Sequence, residues 1–378
     1  MKKLFWFGIL GLFIFEIANV YFIMPMPGSQ QMNSIDLAYF LYKWRWIFRG
    51  LFAAMIIIGL FRSQWKRKWP LFFPIAIVAA VVYMTNFVMA ADHMFYQPRK
   101  VLMVNAETNK VDSNRLVIGV TNNGEAKAYP IQFLGYHHQV QDTVGGKPMI
   151  ITYCTVCRTG RVYEPIVNGR QEKFRLVGMD HFNAMFEDAA TKSWWRQVSG
   201  EAITGKLKGQ QLPEVFSMQT SLTDWLQLNP NSLIMQADPN FIKSYDSTFK
   251  FESGASKSKL TGTDSLSWND KSWVIGVKAG KETKAYDWNQ LKKERLIQDK
   301  IGLTPVLIVL SKNDKSLFAF QRPNESSIFN LRGDTLLFDN HKYRIDGKGI
   351  DTSFTLKPLP ASQEFWHSWQ TFNPGTLH

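Results

Sequence analysis

Three long apolar runs dominate the first 92 residues of the chain, at positions 4–24, 46–61 and 70–90. The first and third are long enough to cross a bilayer, which takes about 20 helical residues. The second is shorter, but it gains length from apolar residues that begin near Leu37. We therefore expect three transmembrane helices. A cleaved signal peptide is the alternative for the first run, because two lysines precede it.

Basic residues flank these runs at two places. Lys2 and Lys3 precede the first run, and four basic residues lie in the loop 62–69 between the second and the third. Loops on the cytoplasmic side of a membrane are rich in lysine and arginine. This predicts a protein of the cytoplasmic (inner) membrane, in contact with lipid, with its N-terminus inside and everything after residue 91 extracytoplasmic.

Two charged residues interrupt the apolar runs. Glu16 and Arg49 each lie 12 residues from the predicted cytoplasmic end of their helix, which is a depth of roughly 18 Å at the rise of an α-helix. An uncompensated charge at that depth is costly. We therefore predict an ion pair between them; the alternative is that Arg49 extends alone toward the membrane surface.

The rest of the chain contains an internal similarity. Segments 117–165 and 274–322 are identical at 14 of 49 positions at a constant offset of 157, without a gap. A second match, W-x-x-x-N-P-x-[ST], begins at Trp225 and at Trp369. Ser221 and Ser362 precede these tryptophans and are predicted as helix N-caps. The pattern predicts a tandem repeat of one unit.

The polar and apolar pattern within each copy predicts mostly short strands. RLVIGV, KPMIITY and GRVYEP have the length and the β-branched or aromatic content of strands, and we predict short helices near 131–137, 181–190 and 221–229. The fold class is thus a β-rich α+β tandem repeat preceded by three transmembrane helices. The predicted domains are 1–92, 98–235 for the first copy, and 236–378 for the second, degenerate copy.

Charge and composition add little to this picture. The net charge of +13 invites a nucleic-acid interpretation, but the basic residues form no single patch, and several flank apolar runs. We expect no nucleic-acid partner. No protein partner can be inferred.

Both cysteines of the chain lie in one C-x-x-C motif, at Cys154 and Cys157. At the offset of 157 they align with Ser311 and Asp314, in a polar stretch between two predicted strands. The motif is therefore predicted at a β-hairpin turn. In thioredoxin-like proteins the pair instead begins a helix, which lowers the thiol pKa. A hairpin placement is typical of a metal-binding knuckle.

A metal site would need further ligands, and three histidines are candidates: His137, His138 and His181. Cysteine and histidine together suit zinc or copper, whereas a c-type haem is excluded because Arg158 follows the motif. Two alternatives stay open, a redox-active pair and an inert disulfide or thiol pair. Each histidine could equally be a hydrogen-bonded surface or core residue. Asp188 could line a site, and the adjacent tryptophans at 194–195 are interpreted as core.

At these residues the chain resembles the prokaryotic family catalogued as domain of unknown function 3179. The matching positions are Tyr136-His137, Gln141-Asp142, Gly145-Gly146, Thr152-Tyr153-Cys154, Cys157, Asp188, Thr191, Ser193, Trp195, Trp225 and Pro230. The resemblance covers most of 110–235. It implies the importance of the two cysteines and His137, and no established activity. His138 stands where the family pattern has glutamate.

These observations lead to one functional hypothesis and two rivals. The first is a membrane-anchored protein that binds a transition metal through the C-x-x-C and histidines, for metal handling or electron transfer. The second is a membrane-coupled thiol–disulfide oxidoreductase. The third is a non-enzymatic structural or interaction module, for which both cysteines would be dispensable.

Overall fold

The computed structural model of the protein describes residues 1–378, apart from the side chain of residue 247. Contacts group the chain into two compact units. The helical unit comprises residues 1–96, 172–196 and 201–211, and the sheet unit comprises 97–171, 197–200 and 212–378. The α+β class is confirmed. The predicted domain boundaries rest on the sequence alignment and stay a prediction.

The helical unit begins with the predicted apolar helices. They are α1 (Lys2–Tyr21), α2 (Ile35–Lys43), α3 (Arg45–Arg62), α4 (Phe72–Tyr83) and α5 (Ala91–Met94). α1 and the helical stretch Trp69–Val88 around α4 are long and apolar enough to cross a membrane. α2 and α3 pass that test only together, because the chain bends by 60° between them. Two membrane-compatible helices are thus present, and three if the bent pair is one span.

Glu16 and Arg49 meet between α1 and α3. Arg49 Nε donates to Glu16 Oε1 at 2.6 Å, and Nη2 donates to Oε2 at 2.9 Å. Asn86 and Thr85 also donate to this carboxylate, which is fully buried. Both carboxylate oxygens of Glu16 therefore accept hydrogen bonds from residues of the helical unit.

The chain then enters the sheet unit. Its first elements are β1 (Met103–Val104), β2 (Leu116–Asn122), β3 (Glu125–Pro130), α6 (Ile131–His137), β4 (Gln139–Val144), β5 (Lys147–Cys154), β6 (Thr159–Tyr163), β7 (Ile166–Val167) and β8 (Arg170–Gln171). β4, β5 and β6 form one antiparallel sheet. The predicted strands and the helix at 131–137 are confirmed.

Residues 172–211 contribute a four-stranded sheet to the helical unit, in the order β12-β11-β10-β9. Its strands are β9 (Phe174–Asp180), β10 (Asn183–Asp188), β11 (Trp194–Arg196) and β12 (Ala202–Thr204). The helix predicted over 181–190 is therefore wrong. β10 is buried at all six positions, so its sequence lacks the alternation that identifies a strand.

The sheet unit resumes after residue 211. Its remaining elements are β13 (Met218–Ser221), α7 (Leu222–Leu228), β14 (Leu233–Met235), α8 (Ile242–Glu252), β15 (Trp273–Ala279), β16 (Glu282–Asp287), α9 (Trp288–Glu294), β17 (Leu296–Ile301), β18 (Thr304–Leu310), β19 (Leu317–Gln321), β20 (Asn330–Arg332), β21 (Thr335–Phe338), β22 (His341–Arg344), β23 (Lys357–Pro358), β24 (Ala361–Phe365) and α10 (Trp366–Phe372).

These strands form further sheets within the sheet unit. Their orders are β1-β14-β3-β2-β13, β16-β15-β24, β17-β18-β19-β23, β20-β21-β22 and β7-β8. A buried apolar cluster packs under β2–β5, and a second one packs under β15–β19. Phe365, from β24, belongs to the first cluster. The C-terminal segment therefore contributes to the core around the C-x-x-C hairpin.

The order and spacing of elements recur within the sheet unit. The sequence β2-β3-α6-β4-β5 is followed 157 residues later by β15-β16-α9-β17-β18, and the first four elements of each series have equal lengths. β13-α7 has a counterpart in β24-α10. The residues that the two series share make the same contacts. A Cβ on Gly119 would lie 2.2 Å from the Trp225 ring, and one on Gly276 would lie 2.0 Å from Trp369.

A shared polar cluster shows the same correspondence. Asp142 accepts hydrogen bonds from Tyr129 Oη at 2.8 Å and Lys127 Nζ at 3.1 Å. In the second series, Asp299 accepts one from Tyr286 Oη at 2.9 Å and pairs with Lys284 Nζ at 3.0 Å. In both series, the lysine and tyrosine of the K-x-Y motif therefore bind the aspartate of the Q-D motif, which joins the strand before the helix to the strand after it.

Candidate functional site

The C-x-x-C motif lies at the turn of the β5–β6 hairpin. Cys154 pairs with Thr159 as the last residue pair of the ladder, so the turn placement predicted from the sequence is confirmed. Both cysteines are thiols. They are buried, with 2% of Cys154 and none of Cys157 exposed. No helix begins at the motif itself, which distinguishes it from the thioredoxin-like arrangement.

The side chain of Lys271 is held against this turn. Its Nζ donates to the carbonyl oxygen of Val156, between the cysteines, at 2.9 Å and to that of Leu260 at 2.6 Å. Burial lowers the pKa of Lys271, while negative charge on Cys157 and Cys154 acts in the opposite direction. A protonated Lys271 therefore favours the thiolate form of both sulfurs.

His367, near the start of α10, also lies against this turn. Its Nε2 lies 3.2 Å from Lys271 Nζ and 3.0 Å from the carbonyl oxygen of Val156. Burial, with Lys271 next in effect, lowers the pKa of His367 to about 4, so the ring is neutral at pH 7. In the tautomer that carries a proton on Nε2, His367 donates to the Val156 oxygen; in the other tautomer, Nε2 accepts from Lys271.

Arg158 anchors the same turn from its other side. Its guanidinium donates to Gln363 Oε1 at 2.8 Å and to the carbonyl oxygens of Phe251 and Glu252. It also stacks on the ring of Trp273, 3.7 Å from the centroid. Burial lowers the pKa of Arg158. All of its nitrogen atoms are engaged, so Arg158 fixes the turn rather than offering a free cation.

His137 and His138 end helix α6. His137 Nε2 lies 2.7 Å from the hydroxyl of Tyr245, in a fully buried position. His138 has a positive φ of 62° and its N–H donates to the carbonyl oxygen of Leu134, which ends the helix. Burial lowers the pKa of His138 to about 4. His138 also lies beside the strand that carries the first cysteine, because Tyr153 N–H donates to the carbonyl oxygen of His138 at 2.9 Å.

The other two candidates belong to the helical unit. His181 Nδ1 lies 2.8 Å from Asp180 Oδ1, in the turn between β9 and β10. Asp188 is buried and accepts hydrogen bonds from the backbone N–H groups of Thr191 and Ser193 and from the indole of Trp195. Asp188 therefore stabilises a turn, and the adjacent tryptophans are core residues as interpreted from the sequence.

A closed metal site needs three or four ligands close together. In the part of the chain that the structure describes, no group of three or more histidine, cysteine, aspartate or glutamate residues is arranged to hold a metal ion. What the structure brings to the cysteines is a lysine and a histidine that the sequence interpretation missed.

A family model described as "Protein of unknown function (DUF3179)" matches residues 97–376. The chain belongs to this family. The predicted resemblance is confirmed. No curated protein and no solved structure matches the chain.

The residues that carry the DUF3179 resemblance divide into two groups in this structure. Most of them are scaffold: Asp142 binds Tyr129, Asp188 binds Trp195, and Trp225 packs on Gly119. Cys154 and Cys157 differ from these residues, because two cysteines at one turn can also form a thiolate or a disulfide. This difference makes the DUF3179 turn the candidate site.

One signal could have led to Lys271 and His367 from the sequence. His367 lies in EFWHSW of the second copy, where the first copy has Thr223 at the matching position, and Lys271 aligns with Asn114. Both residues are thus specific to the second aligned segment, whereas the cysteines lie in the first. The fold joins them, because Phe365 N–H donates to the carbonyl oxygen of Cys157 at 2.9 Å.

Proposed function

We propose that this protein is a membrane-anchored, extracytoplasmic thiol–disulfide oxidoreductase, with Cys154 and Cys157 as its redox pair. The observation that carries the proposal is the ammonium group of Lys271, which is held at the turn between the two cysteines. A positive charge beside a cysteine stabilises its thiolate, which is the species that attacks a disulfide.

The reaction is a dithiol–disulfide exchange. One thiolate attacks a sulfur of a partner disulfide, and one thiol of the partner leaves. The second cysteine then attacks the mixed disulfide, which forms the Cys154–Cys157 bond and releases the second partner thiol. Two electrons and two protons pass from this chain to the partner disulfide, and the reverse exchange restores the dithiol.

Neutral His367 contributes no charge of its own to the thiolate, because only a protonated imidazole would add one. Because its pKa is about 4, His367 is uncharged at pH 7, and the cations at the turn are Lys271 and Arg158. The position of Lys271 is fixed by two carbonyl oxygens on different segments, those of Val156 and Leu260. Because the Lys271 side chain is already held in place, it loses no further conformational entropy when the thiolate forms.

The burial of both thiols sets a condition on the exchange. A partner disulfide must reach sulfur atoms that are at most 2% exposed, so the covering segments must open. The polar stretch 253–272 contains no helix or strand, and one of its carbonyl oxygens, that of Leu260, accepts from Lys271. Local opening of such a segment requires less free energy than global unfolding.

The apolar helices of the helical unit support membrane anchoring. We propose three spans, with α2 and α3 as one bent span, an N-terminus in the cytoplasm, and lipid as the surrounding partner. Basic residues at 2–3 and 62–68 support this orientation. We also propose that the matching element series of the sheet unit arose by duplication of one unit.

Binding of zinc or copper by the same sulfurs is a second proposal. Thiolates are good ligands for both metals. The cation of Lys271 opposes it, since a metal ion would bring a second positive charge to the same turn.

The pH dependence of thiol alkylation tests the role of Lys271. The chain has only two cysteines, so iodoacetamide labelling of the reduced, full-length protein in detergent reports on this pair alone. We expect Lys271→Met to shift the alkylation profile to higher pH by about 1 unit, because the thiolate loses its neighbouring cation.

Lys312→Met provides the matched control, because Lys312 is a lysine whose side chain is 73% exposed. Its profile is expected to equal that of the unmodified protein. An unchanged profile for Lys271→Met would refute the proposed role of the lysine. Elemental analysis of the same samples tests the metal proposal, which requires about one zinc or copper per chain.

A further inference from the structure

A second feature of the sheet unit lies between the two element series, next to the β5–β6 hairpin. A cavity of about 210 Å³ opens between β6, β15 and β24. Its walls include Phe216 and Pro360, and its charged lining residues are Arg161, Glu214 and Lys278. None of these residues takes part in the proposed thiol exchange.

Lys278 presents an unmatched positive charge to this cavity. Among the residues that the structure describes, its ammonium group has no hydrogen-bond partner, and only charges at longer range act on it. Burial, and next the positive charge of Arg161, lower the pKa of Lys278. Lys278 is half-buried, so its ammonium group is free to donate to an acceptor that enters the cavity from solvent.

Arg161 presents an unmatched donor to the same space. Its side chain is 7% exposed, and its Nη2 donates to the buried carboxylate of Glu364 at 2.6 Å. Its Nε is buried and makes no hydrogen bond within the described part of the chain. Glu214 Oε1 lies 3.5 Å from this nitrogen, without hydrogen-bond geometry, and the Glu214 side chain is 43% exposed. Leaving such a donor unsatisfied costs about 1–3 kcal/mol.

The charges of the cavity are consistent with one class of ligand. Glu364 is occupied by Arg161 and by the hydroxyl of Ser362 at 2.7 Å, so it offers little to a cation. Glu214 can turn toward solvent. The donors that then remain are Arg161 Nε and the Lys278 ammonium, and both suit an oxyanion.

We propose that this cavity binds a small organic oxyanion, a carboxylate or a phosphate ester, through Lys278 Nζ and Arg161 Nε. The anionic group lies between the two donors, and an apolar part of the ligand packs against Phe216 and Pro360. The site is independent of the cysteines, so it exists whether or not the thiol pair is redox-active.

Calorimetric titration of the full-length protein in detergent tests the proposal. The probes are sodium benzoate, sodium acetate, inorganic phosphate and the neutral analogue benzyl alcohol. We expect saturable binding of benzoate, weaker binding of acetate and phosphate, which lack an apolar group, and no saturable binding of benzyl alcohol. Lys278→Met is expected to weaken benzoate binding at least tenfold.

Two further variants complete the experiment. Lys281→Met removes an exposed lysine three residues further along the same hairpin and is expected to bind benzoate like the unmodified protein. Glu214→Gln removes the competing carboxylate without disturbing a buried group, and we expect equal or tighter binding. Three results would each overturn the proposal: no saturable binding of any anion, equal binding of benzyl alcohol and benzoate, or undiminished binding by Lys278→Met.

Discussion

His138 and Arg295 occupy one backbone position in two different chemical roles. Both have a φ of 62°, and both end a helix by donating a backbone N–H to a leucine carbonyl four residues earlier. Arg295 is partly exposed and pairs with Asp334, whereas His138 is buried with its pKa lowered to about 4. The backbone geometry therefore explains why a residue of either kind fits, and burial makes the histidine sensitive to pH.

This burial predicts a loss of stability in mild acid. An unfolded histidine binds a proton below about pH 6.5, whereas folded His138 and His367 stay neutral until about pH 4. The unfolded state binds more protons in this window, so the free energy of unfolding falls as the pH decreases from 6.5 to 4. Each histidine contributes roughly 2–4 kcal/mol to that fall.

His138→Asn tests this prediction, because asparagine tolerates a positive φ and does not titrate. We expect the decrease in thermal midpoint between pH 7 and pH 4.5 to be smaller in the variant than in the unmodified protein. His341→Asn is the control, because His341 is 48% exposed, and its decrease should match that of the unmodified protein. An unaltered pH dependence in His138→Asn would contradict the account.

At the scale of elements, two glycine–tryptophan contacts join strand and helix. Gly119 lies under Trp225, and Gly276 lies under Trp369. The indole nitrogen of each tryptophan donates to a hydroxyl seven residues later, Ser232 or Thr376. These contacts explain why VIGV and W-x-x-x-N-P-x-[ST] occur together in both series.

Alanine at either glycine is expected to destabilise the sheet unit. Replacing a strand glycine by alanine is ordinarily favourable by about 0.5–1 kcal/mol, but here the new Cβ would lie 2.2 Å or less from an indole carbon. Overpacking of this kind costs roughly 1–3 kcal/mol. We expect Gly119→Ala and Gly276→Ala each to lower the thermal midpoint by several degrees.

Gly50→Ala is the matched control for both variants, because no atom lies within 4 Å of a Cβ at that position. Its thermal midpoint should equal or exceed that of the unmodified protein. A stable Gly119→Ala protein beside an unstable Gly276→Ala protein would show that the two contacts are not equivalent.

Local patterns predicted some elements well and others badly. The helix at 131–137, the hairpin turn at the cysteines and the N-cap at Ser221 are confirmed, since each depends on neighbouring residues. Ser362 was predicted as an N-cap and instead lies within β24, while α10 begins four residues later. The helix predicted near 181–190 failed because burial on both faces of β10 removes the strand period.

The site itself was only partly predictable, because its members come from distant parts of the chain. The turn and its cysteines follow from local sequence. Lys271 lies 115 positions after Val156, and His367 lies 211 positions after it, so no spacing within a motif could associate them. The candidate histidines were chosen near the cysteines in sequence, whereas the fold uses one from the last helix.

At the scale of the whole molecule, substitutions at the Glu16–Arg49 pair test whether the two charges compensate each other inside the helical unit. Removing one partner of a buried pair costs roughly 3–5 kcal/mol, whereas removing both costs much less. We expect Arg49→Met to lower the thermal midpoint in detergent more than the Glu16→Gln, Arg49→Met double variant does. Lys43→Met, a lysine at the end of α2, is the control. A double variant that is less stable than Arg49→Met would contradict the prediction.

The measurement that tests the central claim most directly is a redox titration of the full-length protein. The protein is equilibrated in thiol–disulfide buffers of known potential, its thiols are trapped with a maleimide, and the mass of the intact chain is determined. The account predicts that two thiols are lost together, with a midpoint between about −300 and −120 mV. A pair that stays reduced above that range, or stays oxidised below it, would contradict a redox role for Cys154 and Cys157.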